Sequence, residues 1–262
     1  MIIDFLVGFV LAIGIAVLTR MKKALTWGAV WTAGGMLIFI SCMSGWVESL
    51  FLVGMYLSVF VVDAVLGEKM ESATKDVHEK GGIRNYKQIL ANGSAGCVCI
   101  LLYKMRGEPA FLIAYYASIF EVMADSIASD VGVLSKRPPR DICTWKVVNR
   151  GISGGVSVLG LMASGIACVV AGMVTGLTLK LEIREGLLII IAPYFGMLAD
   201  SVIGSVLQVK YVCSVCGMPT EKKEHCGMKT AISGGFKKIS NSMVNFICTV
   251  LAAITGCLLA CV

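Results

Sequence analysis

The sequence predicts an all-α, polytopic membrane protein of about eight transmembrane helices with a degenerate repeated helical hairpin. Three observations carry the class. Apolar residues make up 57% of the chain and charged residues only 15%, against roughly a quarter charged in soluble domains. The mean hydropathy is +0.83. The apolar residues also gather into blocks of about 20, the length a helix needs to cross a hydrocarbon layer roughly 30 Å thick. Disorder is excluded and a soluble enzyme is disfavoured.

The blocks place spans at 2–19, 25–43, 46–66, 89–104, 109–130, 154–178, 186–207 and 242–261. The first carries Asp4, lacks a basic start and a small-residue cleavage site, and is followed by further spans, so it reads as a retained helix. The fourth is the shortest. The fifth carries a polar stripe, with Glu121 and Asp125 four residues apart and Ser118 and Ser129 on nearly the same face, which belongs against other helices and not lipid. The seventh contains Pro193, a residue that can break a helix. Residues 1–262 form a single membrane domain, and 206–241 is its longest polar loop.

Nineteen of the 23 Lys and Arg residues fall on one side of this arrangement. They are Arg20, Lys22 and Lys23; Lys69, Lys75, Lys80, Arg84 and Lys87; Lys136, Arg137, Arg140, Lys146 and Arg150; and six in the last loop. Only Lys104, Arg106, Lys180 and Arg184 lie opposite. The excess marks the cytoplasmic side, so both termini are expected outside a cytoplasmic membrane. The same asymmetry accounts for the net charge of +6 without a nucleic-acid partner. Seven of the eleven cysteines sit in apolar blocks as small hydrophobes, and the scattered, odd-numbered set implies no disulfide framework.

A pattern recurs three times where a span meets the basic side. Asp63-Ala64-Val65-Leu66-Gly67, Asp125-Ser126-Ile127-Ala128-Ser129 and Asp200-Ser201-Val202-Ile203-Gly204 each precede a basic loop. A glycine pair follows each time: Gly81-Gly82, Gly154-Gly155 and Gly234-Gly235, the last two inside identical Ile-Ser-Gly-Gly tetrapeptides. A carboxylate in apolar sequence needs a partner or a wet cavity. One such acid serves packing as readily as function, but three equivalent acids beside three glycine-containing basic loops favour a shared site. Clustered carboxylates can hold Mg²⁺, Lys and Arg can clamp phosphate oxygens, and glycine lets backbone N–H groups approach them. The loop Ser135-Lys136-Arg137-Pro138-Pro139-Arg140 is the richest in charge, and an anchor for anionic lipid is its simpler reading. No G-x4-G-K-[ST] loop occurs, so a soluble-type nucleotide fold is not supported.

In the last loop Cys213-x2-Cys216 precedes His225-Cys226, a compact donor set for a tetrahedral and therefore structural Zn²⁺. The adjacency of His225 and Cys226 is expected to strain simultaneous ligation, and the alternative is a group of reduced cytosolic thiols.

The stretch Ala124-Asp125-Ser126-Ile127-Ala128-Ser129-Asp130-Val131-Gly132-Val133-Leu134-Ser135, followed by Ser153-Gly154-Gly155-Val156-Ser157, resembles the signature of the integral membrane family of transmembrane protein 19 and plant phytyl-phosphate kinase. Gln88-Ile89-Leu90-Ala91-Asn92-Gly93 is similar to an earlier motif of that family, and Cys213 through Asn245 to a later Cys/His region. The sequence departs from the pattern at Ser240–Asn245, where the family shows further acids, and at Asp130, where Glu is usual. The resemblance implies a kinase that raises an isoprenoid monophosphate to the diphosphate with a nucleoside triphosphate, CTP or ATP, of which kinship with phytol and dolichol kinases favours CTP.

On that reading Asp125 and Asp200 hold Mg²⁺ or nucleotide phosphate, and Lys136, Arg137 and Arg140 neutralise the transferred group. Ser126, Ser129, Ser153, Gly154 and Gly155 bind phosphate. Asp63, Glu121 and Asn92 are placed by the repeat or the polar stripe alone. The partners are a lipid-borne isoprenoid phosphate and a nucleotide. A transporter of an anionic or isoprenoid-phosphate solute is the competing class, favoured by internal repeats and by a helix broken at Pro193. A noncatalytic membrane scaffold is the third.

Overall fold

The structure is a computed structural model that describes residues 2–74 and 83–261. Its helices are α1 (Ile2–Met21), α2 (Trp27–Ser44), α3 (Trp46–Thr74), α4 (Tyr86–Arg106), α5 (Pro109–Gly132), α6 (Val158–Leu179), α7 (Ile183–Val206) and α8 (Asn241–Cys261). Seven of them are long and apolar enough to cross a membrane; α4 falls outside that set. It is 21 residues long, and it packs against α2, α5 and α8, which shields its polar positions from lipid. The protein is an all-α, multi-pass membrane protein.

The bundle is organised around α5, which touches α3, α4, α6, α7 and α8. Every residue from Ile113 to Ala124 is buried, as expected of a helix surrounded on all sides. The aromatic side chains of Tyr115, Tyr116 and Phe120 fill the space toward α3, where Phe51 meets Tyr116 edge-on at 5.2 Å between ring centroids. The Tyr115 hydroxyl donates to the Glu48 carbonyl oxygen at 2.7 Å. By contrast α1 is peripheral and buries only Gly8, Ile15 and Thr19.

One element boundary differs in kind from the sequence expectation. The sixth span was expected from residue 154, but α6 begins at Val158, because Gly154 has φ +84° and the Ser157 side chain accepts from the Gly160 N–H as an N-cap. α7 runs unbroken through Pro193 from Ile183 to Val206, without the break on which the carrier reading drew.

Tight turns at Gly45, Gly107–Glu108 and 180–182 close one face of the bundle. On the other face the chain before α2 meets the chain before α4. The Thr26 N–H donates to the Arg84 carbonyl at 3.1 Å and the Arg84 N–H to the Ala24 carbonyl at 3.0 Å. The hairpins α3/α4, α5/α6 and α7/α8 all open toward that same face, together with the loops that carry most of the cationic residues.

The two long loops contain small β elements. In the first, β1 (Arg140–Asp141) pairs antiparallel with β2 (Gly155–Val156). In the second, β3 (Lys210–Val212), β4 (Pro219–Thr220) and β7 (Ala231–Gly234) form a sheet in the order β4-β3-β7, while β5 (Glu224–His225) and β6 (Met228–Lys229) form a separate hairpin. The identical tetrapeptides therefore fold differently. Ile152–Gly155 is a turn closed by the Gly155 N–H on the Ile152 carbonyl at 3.0 Å, whereas Ile232–Gly234 lies in β7 and pairs with β3. Their tertiary partners override local sequence. The first pair, Gly81-Gly82, lies outside the described residues.

Candidate functional site

A polar cavity of about 400 Å³ opens on the basic face. The end of α5 supplies Asp125, Ser126, Ser129 and Asp130, and the end of α7 supplies Asp200 and Ser201. Gln88 and Asn92 project from the start of α4, four residues apart and so on one helix face, and Arg84 reaches in from the chain just before the helix. The turn 151–157 forms another wall, the start of α8 contributes Asn241, Ser242 and Asn245, and Glu221 reaches in from the second long loop.

Two acids from separate hairpins, Asp125 and Asp200, thus share one cavity with Ser126, Ser129, Asn92, Ser153, Gly154 and Gly155. Glu121 sits one helical turn before Asp125, 1% exposed, and is not part of the cavity wall. Asp63 is exposed on α3 and outside the cavity wall, although Met70 of the same helix is part of that wall; among the described residues α3 packs mainly on α1, α2 and α5. Lys136 and Arg137 are exposed in the first long loop, outside the wall. Arg140 points outward because β1 alternates exposed and buried positions, and its guanidinium donates to the Trp145 carbonyl oxygen at 2.8 Å. Among the described residues, the cation that does line the cavity is Arg84. Nothing local marked Arg84 or Glu221 in the sequence, whereas Asn245 falls in the Ser240–Asn245 segment that the resemblance singled out.

Tertiary contacts hold the glycine turn in place. A Cβ on Gly154 would come within 2.5 Å of Ser205 Cα, and its positive φ also demands glycine. Glu221 Oε1 accepts from the Ser153 N–H at 2.9 Å and from the Ser153 hydroxyl. Gln208 Nε2 donates to Ser153 Oγ at 2.7 Å. Of the three backbone donors expected to face phosphate, Ser153 N–H is engaged by Glu221 and Gly155 N–H by Ile152.

Asp141 anchors the same loop from behind. Its carboxylate accepts from Ser205 Oγ at 2.6 Å, from Thr144 N–H at 2.8 Å and from Cys143 N–H at 3.1 Å. Burial works to raise its pKa, but the hydrogen bonds from Ser205, Thr144 and Cys143 outweigh it and hold the carboxyl below its ordinary range.

In the second long loop the donor atoms of Cys213, Cys216, His225 and Cys226 all lie within 4.8 Å of one another. The Val215 N–H donates to Cys213 Sγ at 3.4 Å, and His225 Nδ1 stands 3.5 Å from Cys216 Sγ and 3.2 Å from Cys226 Sγ. The adjacent His and Cys are accommodated by a two-residue hairpin between β5 and β6, with Cys226 at φ +52° and Gly227 at φ +74°. Positive φ at both central positions is the type I′ geometry that antiparallel strands favour. The Cys213 thiol is pulled down to about 6, first by the Cys216 backbone N–H, while the Cys216 side chain pushes Cys226 up to about 11. Three sulfurs and one imidazole in this compass fit a tetrahedral Zn²⁺.

The family described as integral membrane protein DUF92 matches residues 10–253. The chain belongs to this family. That stretch of DUF92 sequence contains both the cavity and the Cys/His cluster. The chain is 26% identical over 213 residues to the uncharacterized membrane protein MJ0933 of Methanocaldococcus jannaschii, covering 81% of this chain and 74% of the relative. It is 27% identical over 213 residues to Protein PGR of Arabidopsis thaliana, covering 72% and 73%. To Protein VTE6, chloroplastic, of the same plant it is 25% identical over 186 residues, 69% of this chain and 49% of that one. No solved structure matches. The resemblance read from Ala124–Ser135 is borne out at the level of the DUF92 family.

Proposed function

We propose that this DUF92 protein is a membrane kinase that converts an isoprenoid monophosphate to its diphosphate at the expense of a nucleoside triphosphate, CTP in preference to ATP. One observation supports it above the others: Asp125 and Asp200, on separate hairpins, share a cavity with Arg84 and the Ser153–Gly155 turn at the basic face. Its volume of about 400 Å³ falls within the roughly 300–1,000 Å³ of small-ligand sites. By the positive-inside rule that face is cytoplasmic, where nucleotide is available, and both termini lie outside.

The reaction suits such a site. A terminal oxygen of the acceptor monophosphate is already anionic near neutral pH, its second pKa being about 6, so no general base is required. That oxygen bonds to the γ-phosphorus of the donor as the bond to the departing nucleoside diphosphate breaks, and the demand on the protein is positioning and charge neutralisation. Arg84 clamps phosphate oxygens, the hydroxyls of Ser126 and Ser129 and the amide of Asn92 orient them, and Lys136, Arg137 and Arg140 attract the polyanion from the loop outside. Asp125 and Asp200 would hold Mg²⁺. Asp200 Oδ2 and Asn245 Oδ1 are buried without a hydrogen-bond partner among the described residues, and hard oxygen donors of this kind suit that ion. When bound, it supplies positive charge to the nucleotide phosphates.

The isoprenoid tail stays in the bilayer. Gly160 and Leu161 line the cavity, and Val158, Leu159 and Met162 beside them are exposed on the outer surface of α6, giving the tail an apolar path to lipid. Zn²⁺ in the Cys/His cluster would be structural and would fix β3 and β4, next to Glu221. The unbroken α7 and the placement of the cavity at helix ends favour a kinase over a carrier, which wants a midplane site between broken helices.

The test is incubation of the purified protein with prenyl monophosphates of several chain lengths, Mg²⁺, and CTP or ATP, followed by mass detection of the diphosphate. Product from one pairing supports the reading. Absence of product from all pairings, together with solute uptake into proteoliposomes, transfers the assignment to the carrier class.

A further inference from the structure

Beneath the cavity floor, side chains from three helices converge, and two of them, Glu121 and Cys248, have no part in the proposed transfer. Glu121 of α5, Asp200 of α7 and Cys248 of α8 each present a donor atom within 4.8 Å of the others. Glu121 is 1% exposed and Cys248 is fully buried. Glu121 Oε1 and Asp200 Oδ2 are buried with no hydrogen-bond partner among the described residues, and neither acid has an ion-pair partner there. Room for the Glu121 stem is built into α7: a Cβ on Gly196 would lie 2.6 Å from Glu121 Cγ and 2.9 Å from Ala252 Cβ.

Unpartnered carboxylate oxygens at this depth are strongly unfavourable unless a proton or a cation neutralises them, and a cation alone would engage both acids and the sulfur at once. Asp200 also lines the cavity, which gives an ion a route in from the basic face. The donor set decides which ion. Two carboxylates alone would suit Mg²⁺ or Ca²⁺, but a sulfur as third donor shifts preference to Zn²⁺ and related transition metals, and a coordinating thiol loses its proton. We propose that Glu121, Asp200 and Cys248 form a buried divalent transition-metal site of the Zn²⁺ class, separate from the Cys213–Cys226 cluster and joined to the cavity through Asp200. The site shares Asp200 with the reaction assigned above, and metal binding read without substrate tests it separately.

The experiment is metal loading of the full-length chain in detergent after stripping with chelator, using Zn²⁺ and then Co²⁺ alone as probes. Cys248→Ser is expected to remove one equivalent of Zn²⁺ per chain, and the near-isosteric Glu121→Gln to weaken that equivalent on the order of tenfold or more. In a chain carrying Cys213→Ser, Cys216→Ser and Cys226→Ser, the near-ultraviolet thiolate-to-Co²⁺ band is expected to persist and to vanish when Cys248→Ser is added. Zn²⁺ stoichiometry and affinity unmoved by either Cys248→Ser or Glu121→Gln, in variants of parental helicity, overturn the proposal. So does a Co²⁺ band indifferent to Cys248. Should Cys248→Ser misfold, Glu121→Gln alone decides between the two outcomes.

Discussion

Glu221 and Ser153 are 68 residues apart in sequence, yet one carboxylate oxygen of Glu221 accepts both the backbone N–H and the hydroxyl of Ser153. Glu221 follows directly on β4, whose partner β3 leads into Cys213. The cluster-bearing loop and the glycine turn of the cavity are therefore mechanically joined.

Replacing Glu221 by Ala is expected to leave the Ser153 donors unsatisfied in a partly buried setting and to destabilise the loop by about 1–3 kcal/mol. Thermal unfolding in detergent measures it, and Glu221→Gln, which keeps an acceptor oxygen, should recover part of the loss. Equal melting of all three proteins would show that the contact contributes nothing.

Chelation of metal from the Cys213, Cys216, His225 and Cys226 cluster is expected to raise amide hydrogen exchange across β3, β4 and the 151–157 turn while the protection of α5 stays unchanged. Exchange confined to the cluster itself would uncouple the two loops.

Asp141 sets an acid limit on the same region. Its carboxyl is held below the unfolded value by Ser205 and Thr144 against the opposing effect of burial, so its contribution is complete above the unfolded pKa, about 3.9. The contribution fades as pH falls toward the depressed folded value, because the unfolded chain takes up the proton first. Hydrogen exchange of residues 140–157 should therefore rise in the acid range below about pH 4, and Asp141→Asn should flatten that dependence while exchanging faster at neutral pH.

Arg84 and the exposed cations should separate kinetically. Arg84→Gln removes a charged donor from the cavity wall and is expected to cost about 1.5–3 kcal/mol in phosphate binding, seen as a raised KM for nucleotide. Lys136→Ala or Arg137→Ala acts only through the field outside the cavity, so its smaller effect should disappear with added salt.

The spans were readable because a bilayer imposes one length on every crossing, and apolar blocks of that length show plainly in the chain. The fourth was short in the sequence for a physical reason: Gln88 and Asn92 spend the cavity-facing side of α4 on polar groups. Asp125 and Asp200 were legible as acids at equivalent helix ends. Asp63 carried the same local pattern, but its helix is peripheral, and no repeat reveals which helix will be central. The identical tetrapeptides at Ile152 and Ile232 diverge because Ser205 backs one and β3 pairs with the other. Glu221 owes its place to strand pairing across a long loop, which leaves no periodic trace.

The most direct measurement compares diphosphate formation by the parent chain with that of Asp125→Asn and Asp200→Asn under the same Mg²⁺ and nucleotide. The account predicts Mg²⁺-dependent product from the parent and a loss of about a hundredfold or more in each variant, with both variants retaining the parental helix content. Undiminished product in both variants would contradict it, because the two acids that the bundle brings into one cavity would then have no part in the chemistry.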